Sequence, residues 1–147
     1  MPDIHTIPAP IVTSQFDKTT NTTLANITGL SQNVFASRKY IFEAVLWVDA
    51  SAVGGSKYAI SGTATATAIK YDIVLIDETS NLLTITSRQT ALDGASGQAG
   101  TTSGLCLIKG YINVNAAGTL TVQFAQNVSN GTSSVLVGSH FNVQLIV

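Results

Sequence analysis

Charged side chains are scarce in this chain of 147 residues. Asp, Glu, Lys and Arg together make up 10% of it, whereas an average soluble domain contains roughly 25%. The seven basic residues are scattered and the formal net charge is −1, so the sequence lacks the basic stripe that is typical of nucleic-acid binding. Thr-rich β proteins are often poor in charge, but a deficit of this size favours a surface that other subunits cover.

Cysteine and long apolar runs are also missing. Cys106 is the single cysteine, which excludes an internal disulfide, and its apolar neighbours predict a buried, inert thiol. No apolar run reaches the roughly 18 residues of a membrane span. The N-terminal MPDIHTIPAP lacks the basic start and apolar centre of a signal peptide. We therefore expect cytosolic synthesis and no membrane partner.

The residue types that carry catalysis or bind metals form no organised group in the sequence. His5 and His140 have no Cys, Asp or Glu at the spacing of metal ligands. No nucleophile lies beside a base, and no glycine-rich phosphate loop is present. The sequence therefore predicts no catalytic residue, no metal site and no cofactor, and a protein that is not an enzyme.

Two weaker alternatives concern acidic and aromatic side chains. Asp77 and Glu78 could join Asp72 or Asp93 around calcium, but acidic pairs at turns are usually solvated. Trp47, Tyr58 and Tyr71 could stack on sugar rings, as in a lectin. Each of the three lies within a strand pattern, so packing in a core or an interface is the favoured interpretation.

Residues 37–49 carry the strongest strand signal. Every second residue is apolar on one face, which comprises Tyr40, Phe42, Ala44, Leu46 and Val48. The opposite face is largely apolar as well, with Ile41, Val45 and Trp47 around the acid Glu43, and with Asp49 at its end. Apolar residues on both faces predict a central strand, with the core on one side and a subunit contact on the other. Glu43 would then need a hydrogen-bonded partner.

Similar alternation recurs along the rest of the chain and predicts about eight strands without a helix. The further strands are predicted at residues 57–62, 68–76, 82–87, 105–114, 119–124 and 140–147. Residues 90–104 contain four glycines and small polar residues, which predicts a long loop. Residues 105–114 and 119–124 pair most simply as a hairpin. This succession of short strands predicts an all-β jelly-roll sandwich.

The first 20 residues differ from the remainder because they contain all three prolines, Pro2, Pro8 and Pro10. Proline favours extended backbone and cannot donate to a sheet, so we predict an extended arm at residues 1–20 and one domain at residues 21–147. The apolar side chains of the arm are expected to contact a partner; these are Ile4, Ile7, Ile11 and Val12. The alternative is a first edge strand packed on its own domain.

Several segments resemble a domain that recurs in virion proteins of tailed phages. They are Gly29-Leu30-Ser31, residues 40–44 (YIFEA), residues 118–120 (GTL), residues 123–127 (QFAQN) and Gly138-Ser139. Domains of this group are similar to the trimeric jelly rolls of tumour necrosis factor and complement C1q. The resemblance covers roughly residues 29–147 and implies a homotrimer. In such trimers an apolar strand face lines the threefold axis, which would place Ile41, Val45 and Trp47 in the trimer interface.

The resemblance also implies a function. Members of the group occur in fibres, tail proteins and head decoration proteins. The chain has no fibre shaft, collagen-like repeat or coiled coil, which favours a non-enzymatic capsid decoration or cement protein on the virion surface. Its partner would be the major capsid protein or another virion protein, contacted by the arm. The alternative is a tail-fibre or receptor-binding tip that recognises host surface glycan.

Overall fold

The computed structural model describes residues 10–100 and 103–146, and this part of the chain is all-β with no helix that could span a membrane. It contains eleven strands: β1 Phe16–Thr19, β2 Ala25–Val34, β3 Lys39–Asp49, β4 Ser56–Ser61, β5 Thr65–Asp77, β6 Leu83–Gln89, β7 Ser96–Gln98, β8 Gly104–Ala116, β9 Gly118–Ala125, β10 Thr132–Val135 and β11 His140–Ile146.

The strands form two antiparallel sheets that pack as a sandwich. The larger sheet has the order β1-β10-β3-β8-β5-β6, and β11 lies beside β3 along the same edge as β10. The smaller sheet has the order β2-β9-β4-β7. If the β5–β6 hairpin is set aside and β10 and β11 count as one interrupted strand, each sheet has four strands. This is the architecture of an eight-stranded jelly roll, as the sequence predicts.

The core lies between the two sheets and contains an aromatic cluster centred on Phe42 of β3. Gly110 of β8 is in register with Phe42 on one side and with Tyr71 of β5 on the other. The two rings lean over this glycine, so that their centroids are 6.1 Å apart, and Phe141 of β11 meets Phe42 edge-on at 6.2 Å. A residue without a side chain is therefore needed at position 110 for the aromatic side chains to close over the strand.

Strand positions followed the sequence pattern more closely than strand partners did. Within residues 37–49 the strand β3 spans Lys39–Asp49, and the predicted faces are confirmed, because Tyr40, Phe42, Ala44, Leu46 and Val48 are buried. The hairpin predicted between residues 105–114 and 119–124 is wrong, since β8 and β9 belong to different sheets. The loop predicted at residues 90–104 contains the short strand β7. Alternation identifies a strand, but it does not reveal that the chain crosses between sheets.

The described part of the predicted arm is built into the sandwich. Val12 is completely buried, and its backbone N–H donates to the Ser139 carbonyl at 2.8 Å. The Phe141 N–H donates to the Pro10 carbonyl at 2.9 Å, and β1 pairs with β10 at one edge of the larger sheet. From residue 10 onward the chain thus packs on its own domain, and residue 20 marks no structural boundary. Ile4 and Ile7 lie outside the described residues.

Two buried tyrosines differ in how their hydroxyl groups are satisfied. The Tyr71 hydroxyl donates to the Gly94 carbonyl at 2.5 Å and accepts from the Ile60 N–H at 3.4 Å. Among the described residues the Tyr58 hydroxyl and the Ser56 Oγ have no hydrogen bond of ordinary geometry. Burial raises the pKa of Tyr58, the neighbouring Cys106 thiol raises it further, and the polar contact with the Ser56 side chain lowers it. Tyr58 therefore carries the desolvation cost of a hydroxyl, and no well-formed hydrogen bond compensates for it.

We predict opposite effects for removing these two hydroxyl groups. Tyr58→Phe should leave the free energy of unfolding unchanged or raise it by about 1 kcal/mol, because an unpaired polar atom is removed. Tyr71→Phe should lower it by about 1–3 kcal/mol, because the groups that bond the hydroxyl lose their partner. Chemical denaturation of the two variants beside the original protein measures both changes. A larger loss for Tyr58→Phe than for Tyr71→Phe would contradict this assignment.

Candidate interaction surface

The outer face of the larger sheet is the most unusual surface of the described chain. Its central strand β3 points Ile41, Val45 and Trp47 away from the core, as the sequence predicts. Ile41 is 46% exposed and Trp47 is 47% exposed, and Val45 is partly exposed. Exposure of this kind is unusual for large apolar side chains in the middle of a sheet and marks a surface for interaction.

Strand register extends this face into a continuous apolar patch, which we call the apolar belt. One row aligns Val45 with Leu107 of β8 and Val74 of β5. The next row aligns Trp47 with Leu105 and Ile76 of the same two strands. Leu136 adjoins Trp47, because the Leu136 N–H donates a hydrogen bond to the Trp47 carbonyl at 2.8 Å. The belt thus comprises Val45, Trp47, Val74, Ile76, Leu105, Leu107 and Leu136.

A row of charges separates the belt from Ile41. In this row Glu43 lies opposite Lys109, Lys109 opposite Asp72, and Asp72 opposite Arg88. Arg88 binds both carboxylate oxygens of Asp72, at 2.7 and 2.8 Å, and Lys109 Nζ lies 3.1 Å from Glu43 Oε2. Hydrogen bonding by Arg88 holds the pKa of Asp72 below its usual value. Glu43 has the partner that the sequence requires, and Ile41 belongs to the far side of the row, beside Tyr111.

The belt ends in a shallow depression next to an acidic turn. The depression has a volume of about 320 Å³ and is lined by Trp47, Leu105, Leu136 and the turn after β5, among others. In that turn the Asp77 carboxylate accepts hydrogen bonds from the Thr79 N–H at 2.9 Å and the Ser80 N–H at 2.7 Å. These bonds, with one from the Ser80 hydroxyl, lower the pKa of Asp77 below its usual 3.8.

This turn gives a pH-dependent prediction. A carboxyl group whose pKa is lower in the folded state stabilises the fold above the unfolded pKa, and the stabilisation is lost as the pH falls through the folded value. Asp77→Asn should therefore lower the melting temperature at pH 7, and the difference from the original protein should close below about pH 3.8. Thermal melts between pH 7 and pH 2 test this. Glu78→Gln is the matched control; an equal effect there would contradict the role of Asp77.

The remaining residues that the sequence singled out are dispersed. Ile11 is 47% exposed and forms a bridge with His140, whereas Val12 is in the core and is unavailable to a partner. Tyr58 and Tyr71 are also in the core, which removes two of the three aromatic side chains considered for sugar stacking. No three His, Cys, Asp or Glu residues in the described chain are close enough to hold a metal ion. Burial raises the pKa of the Cys106 thiol, which opposes thiolate chemistry.

Most of the apolar belt escaped sequence reasoning. Leu105 and Leu107 share a strand face with Lys109, Tyr111 and Asn113, and this mixed set predicts a face that is partly exposed to solvent. Val74 and Ile76 share a strand face with Lys70 and Asp72. The belt appears only when β3, β8 and β5 are placed side by side, because each strand contributes two apolar residues at the same level. The alternation of residue types in the sequence indicates which face each residue occupies, whereas the pairing register of the strands brings the apolar residues together into the belt.

Comparison with known proteins adds little to this picture. No family model matches the chain, and no curated protein is similar to it. A Yersinia pseudotuberculosis-derived mitogen is 12% identical with a TM-score of 0.38, over 70% of this chain and 85% of the mitogen. The infectious bursal disease virus VP2 subviral particle is 16% identical with a TM-score of 0.23, over 92% of this chain and 38% of VP2. These scores are too low to carry a conclusion about fold or function.

Proposed function

We propose that the chain is a non-enzymatic structural subunit of a phage virion, most specifically a capsid decoration protein that acts as a homotrimer. The observation that carries this proposal is the apolar belt on the outer face of the larger sheet. The smaller sheet covers the opposite face, and no described strand covers the belt. A second copy of the same chain is the simplest cover, since the resemblance to phage virion domains implies a trimer.

The energetics of the belt support this assignment. An aromatic side chain buries up to about 250 Å², so the exposed half of Trp47 offers about 120 Å². At about 25 cal/mol per Å², covering it stabilises an interface by about 3 kcal/mol. Three equivalent interfaces in a closed ring would each gain this amount. The charged row beside the belt is paired within the chain, so it can approach a neighbour without leaving single charges unpaired.

Two measurements test the proposal in sequence. Native mass spectrometry should give a particle of about 46 kDa, three times the chain mass of 15.3 kDa. Quantitative mass spectrometry of virions from the virus that encodes the chain should then give its copy number. Hundreds of copies per particle support a head decoration protein. A handful of copies would assign the chain to the tail tip instead, and its absence from virions would refute the proposal.

A further inference from the structure

The larger sheet is electrically polarised along its strands. One end, here called the basic end, carries the exposed side chains of Arg38, Lys39, Lys70, Arg88 and Lys109. Among the described residues only two carboxylates, Glu43 and Asp72, lie beside them, and both are paired. Five cations against two carboxylates leave an excess of three positive charges at this end.

The opposite end of the same strands is acidic. It carries Asp17, Asp49, Asp77 and Glu78, and Lys18 is the one cation beside them in the described part of the chain. Four carboxylates against one cation leave an excess of three negative charges at this end. The net charge of −1 is therefore the sum over a surface with two oppositely charged patches. Lys39 and Asp49 are the two ends of β3, about 33 Å apart at about 3.3 Å per residue. The Debye length is about 8 Å at physiological ionic strength, so the two ends act independently.

The direction of the chain at its first described residues points to the basic end. Ile11 forms a bridge with His140, and Pro10 accepts from Phe141, so the chain runs backwards from Val12 along β11. Farther along β11, Ile146 pairs with Lys39 at the basic end. Pro10 and Ile11 thus lie beside β11, and the far end of that strand reaches the basic end.

We propose that the basic end is the docking surface of this protein and that its partner is an acidic protein surface on the virus particle. The inference rests on the proposed function and adds how the protein is oriented on the particle, with its basic end towards the particle surface. A threefold axis carries the three basic ends to the same level, so three copies would present their positive charges together. Lys39 and Lys70 have no ion-pair partner among the described residues, so an acidic surface can satisfy charges that the domain leaves open. Simultaneous contacts by three copies would strengthen a weak individual contact through effective concentration.

The test uses virus particles from a deletion mutant that lacks this protein. Binding of the purified full chain to these particles is measured by co-sedimentation at low and at physiological salt concentration. The variant Lys39→Glu/Lys70→Glu reverses two exposed charges at the basic end and should weaken binding on the order of tenfold or more. Asp17→Lys/Asp49→Lys makes the same kind of change at the acidic end, outside the depression that ends the apolar belt, and should leave binding within about threefold of the original, as expected for charges more than a Debye length away. Lys57→Glu, on the smaller sheet, is the control for a change in net charge alone.

The outcomes separate this inference from the function on which it rests. Loss of binding confined to Lys39→Glu/Lys70→Glu, with the trimer mass and melting temperature unchanged, supports the basic end as the docking surface. Equal loss for Lys57→Glu, or greater loss for the acidic-end variant, overturns it while the decoration function stands. Heparin retention that requires Lys39 and Lys70 while particle binding does not would assign the basic end to an anionic polysaccharide and also overturn it. If the original chain fails to bind any particle, the proposed function falls as well.

Discussion

Replacing Trp47 with Asp is expected to turn a trimer of about 46 kDa into monomers of 15.3 kDa. The side chain lies in the middle of the apolar belt and is 47% exposed in the single chain. The substitution removes about 3 kcal/mol of burial from each interface and places a carboxylate in its apolar part, which adds a desolvation cost. Each 1.4 kcal/mol changes an association constant about tenfold, so association should weaken by more than a hundredfold. Light scattering at micromolar concentration measures the change.

The matched control is Val53→Asp, which changes an apolar side chain of similar exposure outside the belt. Val53 is 51% exposed and lies between β3 and β4, so this variant should remain a trimer. Ile41→Asp should have an intermediate effect, because the charged row separates Ile41 from the belt. A monomeric original protein at micromolar concentration would refute the trimer. Equal dissociation by Val53→Asp would show that the belt is not the interface.

The second large effect is expected from Gly110→Ala and depends only on the fold. A Cβ at position 110 would lie 2.5 Å from the Phe42 ring, the Tyr71 Cβ and the Lys70 carbonyl oxygen. Backbone and two packed aromatic residues cannot all move aside in a central strand, and overpacking of this kind costs about 3 kcal/mol or more. For a chain of this size about 2–4 °C is lost per kcal/mol. We therefore expect the melting temperature to fall by about 6–12 °C.

Gly138→Ala is the control for the loss of a glycine as such. Gly138 has φ of +93°, and nothing lies within 4 Å of a Cβ built there, so only the backbone strain of about 1–2 kcal/mol remains. Phe42→Leu in the Gly110→Ala background should recover part of the lost stability if the ring contact is the cause, which a double-mutant cycle quantifies. A melting temperature for Gly110→Ala within about 2 °C of the original protein would contradict the proposed packing.

The faces of single strands were predictable from the sequence, whereas their neighbours were not. In β3 the alternation of Phe42 with Glu43 assigns one residue to the core and the other to the outer face, since side chains alternate at every residue. The same pattern indicated that Glu43 needs a partner. It did not indicate Lys109, which is distant in sequence and reaches Glu43 only because β8 lies beside β3. Val12 shows the converse case, in which proline-rich surroundings predicted an arm, whereas the side chain is buried in the core of the sandwich.

What the sequence by itself determined is the all-β class, most of the strand positions, and the inner and outer faces of those strands. Only the tertiary structure decided the sheet assignment, the apolar belt and the two oppositely charged ends. The physical reason is the range of the forces involved. Alternation and turn propensities are local and are written into a few consecutive residues. Strand pairing depends on contacts between distant segments, so the level at which Trp47 meets Leu105 and Ile76 is set by the packing of the whole sandwich.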